Sequence, residues 1–310
     1  MASTSDSNTP IGARPTLISL PSEITIQVIC RLPRLADVLA LSATCKHLRD
    51  IWSSNVTQIY DCLASKSIPC LQHARSFYAD QEGLAVDDAM STTGVARMMR
   101  NARIVEKAIV QFEREIVSRV KTDGISADEL EQCYGVGARG HPPTMTPTER
   151  GRFVQSYYTL WGLMIFDTSR WTPRLEVMTS QELYYLHEMT KLTQNIGGGE
   201  SVPAPLFPDQ PPDSVHAIDS GRSGEREILE YAVWHQIDHI SQRIFGEKAI
   251  HADIYAKHEG FMGFVVIWDH WQISLKDAVL HLSRIKERPN TEAVKRYLWN
   301  DDYGTSVETG

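Results

Sequence analysis

Residues 20–52 read LPSEITIQVICRLPRLADVLALSATCKHLRDIW, and this stretch decides the fold of the N-terminal part of the chain. Its apolar spacing predicts three short helices. Pro21 has the fixed φ that suits the first helical position of the first helix, and Glu23 favours the positive end of the helix dipole. Asp37 is placed to cap the second helix, and the third helix follows Thr44.

The first of these helices carries a surplus of apolar side chains. They spread over roughly two-thirds of its circumference, whereas a helix packed on one core needs a stripe only a little over about 100° wide. A unit of about 40 residues is too small to bury such a helix on all sides. We therefore expect the surplus to form an interaction face. The apolar residues are Leu20, Ile24, Ile26, Val28, Ile29 and Leu32.

Residues 16–55 as an ordered set resemble the F-box, the three-helix module by which many eukaryotic proteins dock on the Skp-family linker of cullin-RING ubiquitin ligases. Cys45 stands where many F-boxes have Val, and Leu48 stands where many have Trp, but both are apolar. The resemblance implies a set of residues that bind the linker. They are Leu20, Pro21, Glu23, Ile24, Val28, Ile29, Leu32, Asp37, Leu39, Leu41, Cys45, Lys46, Leu48 and Trp52.

The function that the resemblance implies is that of a substrate-recognition subunit of an SCF-type ubiquitin ligase. The F-box would bind the Skp-family linker and, through it, the cullin and RING subunits. The rest of the chain would recruit a protein substrate of unknown identity. Catalysis would belong to the ubiquitin-conjugating enzyme, so we expect no catalytic residue and no cofactor in this chain. An F-box scaffold that acts outside the ligase is an alternative.

The remainder of the chain is expected to be helical, so the fold class is all-α. We expect a helical connector over residues 56–94 and an all-helical domain without repeats over residues 95–300. Apolar residues at steps of three and four predict an amphipathic helix from Met98 to Val120. Residues 264–267 are the best strand candidate, but they fit a helix equally well.

Three later helices begin with capping-box spacing. A hydroxyl residue at the N-cap is followed three residues later by a glutamate, so each can bond the other's backbone N–H. The pairs are Ser126 with Glu129, Thr146 with Glu149, and Thr179 with Glu182.

Composition and charge argue against several classes of function. Of the 310 residues, 42% are hydrophobic and 23% are charged, as in ordinary globular chains. The net charge of −8 has the wrong sign for wrapping nucleic acid. No apolar run approaches the about 20 residues of a membrane-spanning helix. Polar, aperiodic sequence predicts flexible tails at residues 1–15 and 301–310 and a flexible loop at 197–224.

The cysteines and the N-terminus indicate where in the cell the protein works. The five cysteines form no C-x-x-C pair, and the polar start of the chain has no secretory signal. We therefore expect reduced thiols and a cytoplasmic or nuclear location.

Two motifs resemble chemical sites without meeting their requirements. Residues 135–140 read GVGARG and satisfy G-x-G-x-x-G, but no strand precedes them and no helix opens from them. His235 and His239 share one helix face, which leaves a helical metal-dependent hydrolase as an alternative function. Their motif, HQIDH, lacks the glutamate that metalloproteases use as a base, so we expect no metal.

Overall fold

The computed structural model describes residues 17–117, 142, 144–166, 168–195, 228–239 and 269. Within these residues the chain is all-α, as the sequence predicts, and contains no β-strand. None of the helices in the described ranges combines the length and the hydropathy that crossing a bilayer requires. Several predicted features lie outside the described residues: both tails, the loop 197–224, the Ser126 capping box, the motif 135–140 and the strand candidate 264–267.

The chain divides into two compact units. The first comprises the residues up to Leu71 together with Asp87–Met99, and the second comprises Gln72–Val86 and the residues from Arg100 onward. The predicted domain ranges 16–55, 56–94 and 95–300 cut the chain at other positions and stay predictions.

The first unit is built from four short helices after a 3-10 turn at Leu17–Ser19. They are α1 (Ser22–Ile29), α2 (Leu35–Ser42), α3 (Lys46–Ser54) and α4 (Val56–Ser67). Helix α2 packs against α3 and α4, and α3 packs against α4. The core consists of buried apolar side chains from these helices: Ile29, Leu35, Val38, Leu48, Trp52, Ile59 and Leu63. Helix α4, predicted as part of a connector, thus packs within the first unit.

Two predicted helix starts are wrong. Helix α1 begins at Ser22, and Pro21 is its N-cap rather than its first helical residue. Helix α2 begins at Leu35, so Asp37 lies inside its first turn and does not cap it. The physical reason is that Ser67 takes over the capping role: the Leu35 N–H donates to Ser67 Oγ at 2.8 Å. The Asp37 carboxylate binds the Arg34 guanidinium instead.

Two longer helices come next, α5 (Leu71–Glu82) and α6 (Thr92–Phe112). The boundary between the units cuts both of them. Gly83 ends α5 with φ +67°, which lets the Leu84 N–H donate to the Ala79 carbonyl at 3.0 Å, as in a Schellman motif. Helix α6 confirms the predicted amphipathic helix from Met98 to Phe112 but begins earlier, at Thr92. A π-helical turn (Glu113–Val117) follows it, and the predicted end at Val120 lies outside the described residues.

The second unit centres on two long helices. After α7 (Pro147–Met164) come a 3-10 turn (Thr168–Arg170), α8 (Trp171–Val177) and α9 (Ser180–Asn195). Helices α7 and α9 pack against each other, and residues 228–239 are also helical. Aromatic rings join α7 to its neighbours: the ring centroids of Phe112 and Phe153 are 5.0 Å apart, and those of Phe77 and Trp161 are 4.3 Å apart.

Both capping boxes within the described residues are confirmed. The Glu149 N–H donates to Thr146 Oγ1 at 3.2 Å, and the Thr146 N–H donates to Glu149 Oε2 at 2.8 Å. Thr179 and Glu182 make the same reciprocal pair at the start of α9, with distances of 3.2 and 2.8 Å. The hydroxyl and carboxylate pattern therefore located both helix starts from sequence alone.

Candidate functional site

Helix α1 divides its apolar side chains between the core and solvent. Ile26 is 9% exposed and Ile29 is 1% exposed, whereas Ile24 is 42% exposed and Val28 is 40% exposed. Ile24 and Val28 are one turn apart, so their side chains share one face of the helix. We call these two residues the exposed apolar pair. They form the surplus apolar surface that the sequence predicts for this helix.

The other predicted linker-binding residues differ in how much solvent reaches them. Three are exposed: Pro21, Glu23 and Lys46. Six are half-buried: Leu20, Leu32, Asp37, Leu39, Leu41 and Cys45. A partner contacts atoms that solvent can reach, so these residues and the exposed apolar pair are available for docking.

Three predicted linker-binding residues lie in the core of the first unit. Ile29 is 1% exposed, and Leu48 and Trp52 are each 3% exposed. Their side chains pack the helices of the first unit together, and the accessible residues lie on the surface of those helices. Sequence reasoning could not separate the buried apolar residues from the accessible apolar ones, because both follow one pattern.

Backbone and side-chain bonds fix the starts of α1 and α2. The Pro21 carbonyl accepts from the Thr25 N–H at 3.0 Å and from Thr25 Oγ1 at 3.1 Å. Two nitrogens of Arg34 donate to the Asp37 carboxylate: Nη2 to Oδ1 at 3.0 Å and Nε to Oδ2 at 3.3 Å. This ion pair is exposed, so it contributes little to stability, but it orients the loop before α2. The accessible residues therefore stand on locally well-defined helix ends.

Cys30 follows directly after α1 and forms a side-chain hydrogen bond with Cys62 of α4. Burial, the hydrogen bond and the charge of Cys62 raise the pKa of Cys30 to about 11. The Cys30 thiol therefore stays protonated near neutral pH and is a poor nucleophile. Cys30 lies close to Val28 in sequence, but its protonated thiol is suited to packing and not to nucleophilic reaction.

The histidines proposed as metal ligands are both on the surface. His235 and His239 are exposed in the helix 228–239. Among the described residues, no group of three or more His, Cys, Asp or Glu side chains is arranged to hold a metal ion. Two exposed imidazoles with no further ligand among the described residues give no support to the hydrolase alternative.

Sequence reasoning missed a cavity of about 390 Å³ in the second unit. Its wall includes His73, Phe77, Asp80, Arg174 and Glu182. Arg174 Nη1 donates to Asp80 Oδ2 at 2.6 Å, so these two charges neutralise each other. Burial lowers the pKa of His73, which the charge of Glu182 opposes only in part, so the imidazole is neutral at pH 7. Glu182 is then the one charge among these wall residues that no opposite charge in the wall neutralises, so the cavity offers nothing to attract an anionic ligand.

A second missed feature is the polar cluster at the start of α7. The Asp269 carboxylate accepts from Thr146 Oγ1 at 2.6 Å, from Thr148 Oγ1 at 2.7 Å and from Arg152 Nη1 at 2.6 Å. The Asp269 N–H donates to Glu149 Oε1 at 2.9 Å. The only sequence signal was the capping box, which marks Thr146 and Glu149 but not their distant partner. These four hydrogen bonds hold Asp269 against the first turns of α7, which is a structural role.

Comparison with known families bears on the first unit. A family model of the F-box domain matches residues 17–57. This range contains every predicted linker-binding residue, including the exposed apolar pair. A comparison with curated proteins finds no match, and a comparison with solved structures finds none either. The resemblance read from the sequence is confirmed over this range.

Proposed function

Because the chain carries an F-box domain at residues 17–57, we propose that it is the substrate-recognition subunit of an SCF ubiquitin ligase. F-box domains bind Skp-family proteins, and proteins that contain them are typically non-catalytic adaptors. In this role the chain binds the Skp-family linker directly and the cullin and RING subunits indirectly. The second unit recruits a protein substrate, and the ubiquitin-conjugating enzyme performs the chemistry.

One observation carries the proposal: two aliphatic side chains of α1 stand in solvent inside the matched range. Ile24 is 42% exposed and Val28 is 40% exposed, although neighbouring apolar residues of the same helix are buried. Burial of apolar area against a partner is favourable by about 25 cal/mol per Å². In a protein-binding domain, the partner buries this apolar surface and the free energy of burial is gained. In a unit that binds no partner, the surface stays in contact with water.

The proposal includes a location and favours protein partners over nucleic acid. We place the protein in the cytoplasm or the nucleus, because ubiquitin ligases of this kind work there. The net charge of −8 favours protein partners over nucleic acid.

Affinity purification from eukaryotic cells tests this function. The tagged chain should retain both the Skp-family linker and the cullin. A variant with Ile24→Asp and Val28→Asp should lose both, because two carboxylates would be buried without partners in the interface. The matched control is Val177→Asp with Ile228→Asp, since these aliphatic residues are also exposed but lie in the second unit.

The same eluates separate the ligase from the scaffold alternative. Linker together with cullin supports the ligase, whereas linker without cullin supports a scaffold that acts outside it. Absence of both proteins from the wild-type eluate would contradict the proposed function altogether.

A further inference from the structure

Helix α6 carries three cationic side chains in a row on its solvent face. Arg100, Arg103 and Lys107 are exposed, while Val105 and Ile109 are buried on the other side of the helix. Spacings of three and four residues place the three charges within about 60° of the helix circumference and along about 10 Å of its length. We call these three residues the basic row. All of them belong to the second unit.

Two acidic residues close to the basic row in sequence, Glu106 and Glu113, bind other partners. Glu106 forms an ion pair with Arg150 of α7. Glu113 Oε1 accepts a hydrogen bond from the Met145 N–H at 3.1 Å. Within the described part of the chain, none of the three cations of the basic row is paired with an acidic side chain.

This arrangement weakens α6 when the protein is alone. Like charges three or four residues apart on a helix repel each other, and no carboxylate in the described part of the chain forms an ion pair with the row. The repulsion would be relieved by a partner that places carboxylates over the row. Val110 continues the row by one more turn and is 55% exposed, so an apolar contact lies beside the charges.

We propose that the basic row and Val110 form a docking surface for an acidic, amphipathic segment of a partner protein. Carboxylates spaced three and four residues apart on a helical segment match the spacing of the row. One apolar side chain of the segment then packs on Val110. The inference rests on the proposed function in one respect: the segment belongs to the protein that the second unit recruits.

The observations favour a protein over other polyanions. Non-specific binding to DNA draws on about 6–10 phosphate contacts, and recognition of anionic lipids draws on clusters of about 4–8 basic residues. A row of three cations on a chain of net charge −8 provides less than either requires. The adjacent exposed valine adds an apolar contact that a sugar-phosphate backbone does not use.

A synthetic peptide tests this docking surface directly. The probe is a labelled helical peptide of about 15 residues, with glutamates three and four residues apart and one leucine on the same face. Fluorescence anisotropy with the full chain should show binding that weakens as salt rises from about 50 to about 200 mM. A triple variant, Arg100→Glu, Arg103→Glu and Lys107→Glu, should bind the peptide at least about tenfold more weakly.

Charge-matched controls separate the row from overall charge. A triple variant with Arg31→Glu, Lys66→Glu and Arg170→Glu changes the net charge equally at scattered exposed positions and should keep wild-type affinity. The same peptide with lysine in place of glutamate should bind the Arg100/Arg103/Lys107 variant better than it binds the wild type. Circular dichroism checks that the variants stay helical, since glutamate is as good a helix former as arginine or lysine.

The possible outcomes either support or overturn the inference. Equal loss in both triple variants would show that overall charge, and not the basic row, determines binding. Tighter binding of the wild type to duplex DNA or to phosphatidylserine vesicles than to the peptide would also overturn it. Failure of the peptide to bind, with retention of the Skp-family linker, would refute the acidic segment while leaving the proposed F-box function in place.

Discussion

Arg152 Nη1 donates a 2.6 Å hydrogen bond to Asp269 Oδ1, although 117 residues separate the two in sequence. The Arg152 side chain is 10% exposed and the Asp269 side chain is 41% exposed, so the guanidinium is the more buried partner. Thr146 and Thr148 donate to the same carboxylate. The contact therefore ties a distant part of the chain to the first turns of α7.

Removal of the Asp269 carboxylate should destabilise the second unit. Asp269→Ala removes the carboxylate that accepts from Arg152 Nη1, and loss of a charge-assisted hydrogen bond costs about 1.5–3 kcal/mol. Urea denaturation should show this loss in the free energy of unfolding. Glu176→Ala, at an exposed acidic position of α8, is the control and should change stability little. If both substitutions changed the free energy of unfolding equally, the contact between Asp269 and Arg152 would not be stabilising the second unit.

The same carboxylate predicts a pH dependence. Burial raises the pKa of Asp269, but hydrogen bonds from Thr146, Thr148 and Arg152 outweigh burial and lower it overall. Its contribution to stability is therefore present above the unfolded pKa of about 3.9 and is lost as pH falls through the lower folded pKa. The difference in stability between wild type and Asp269→Asn should shrink between about pH 5 and about pH 2. A difference that stays constant over this range would contradict the assignment.

Cys30 should react slowly with alkylating reagents in the folded protein. With its pKa raised to about 11, chiefly by burial, its thiolate fraction near pH 8 is about 100-fold lower than that of an ordinary thiol. Iodoacetamide labelling followed by peptide mass spectrometry should therefore find Cys30 modified well after the exposed Cys62. The order should disappear in denaturant. Equal labelling rates in the folded state would show that the environment of Cys30 is misassigned.

Substitution of a buried F-box residue should lower stability, whereas substitution of accessible F-box residues should weaken linker binding. Leu48→Ala should lower the free energy of unfolding of the first unit by about 2–5 kcal/mol, because the side chain is 3% exposed and leaves a cavity. Leu39→Ala with Leu41→Ala, at half-buried positions, should weaken linker binding with a smaller change in thermal stability. Thermal unfolding and linker pull-down on both variants check this division. Unfolding caused by the Leu39/Leu41 pair would place those residues in the core.

The purified protein should contain no stoichiometric metal. His235 and His239 share a helix face but are both exposed, and two imidazoles alone do not complete a tetrahedral zinc site. Elemental analysis after dialysis measures this directly. About one zinc per chain, lost in His239→Ala, would revive the hydrolase alternative.

Sequence patterns predicted local features well and long-range features poorly. The apolar surplus of α1 and the capping boxes at Thr146 and Thr179 involve residues within a turn or two, so spacing alone identifies them. The start of α2 was misjudged because its cap is Ser67, a residue from another helix. The contact of Asp269 with Arg152 left no pattern for the same reason.

In the candidate site too, sequence predicted the local pattern but not the features that depend on long-range packing. Sequence identified the F-box range and predicted its docking residues as one set, but the structure divides that set into buried and accessible residues. Ile29 and Val28 are neighbours and both aliphatic, yet one is 1% exposed and the other is 40% exposed. The packing of the whole unit determines that difference, and a local pattern does not contain it.

Titration of the Skp-family linker into the full chain by isothermal calorimetry tests the central claim most directly. Wild type should bind, and Ile24→Asp with Val28→Asp should weaken binding at least about 30-fold, since each interface anchor contributes about 2 kcal/mol or more. Val177→Asp with Ile228→Asp should bind like wild type, and all three proteins should unfold at similar temperatures. Wild-type affinity in the Ile24/Val28 variant would contradict the assignment of the exposed apolar pair as the linker-binding surface.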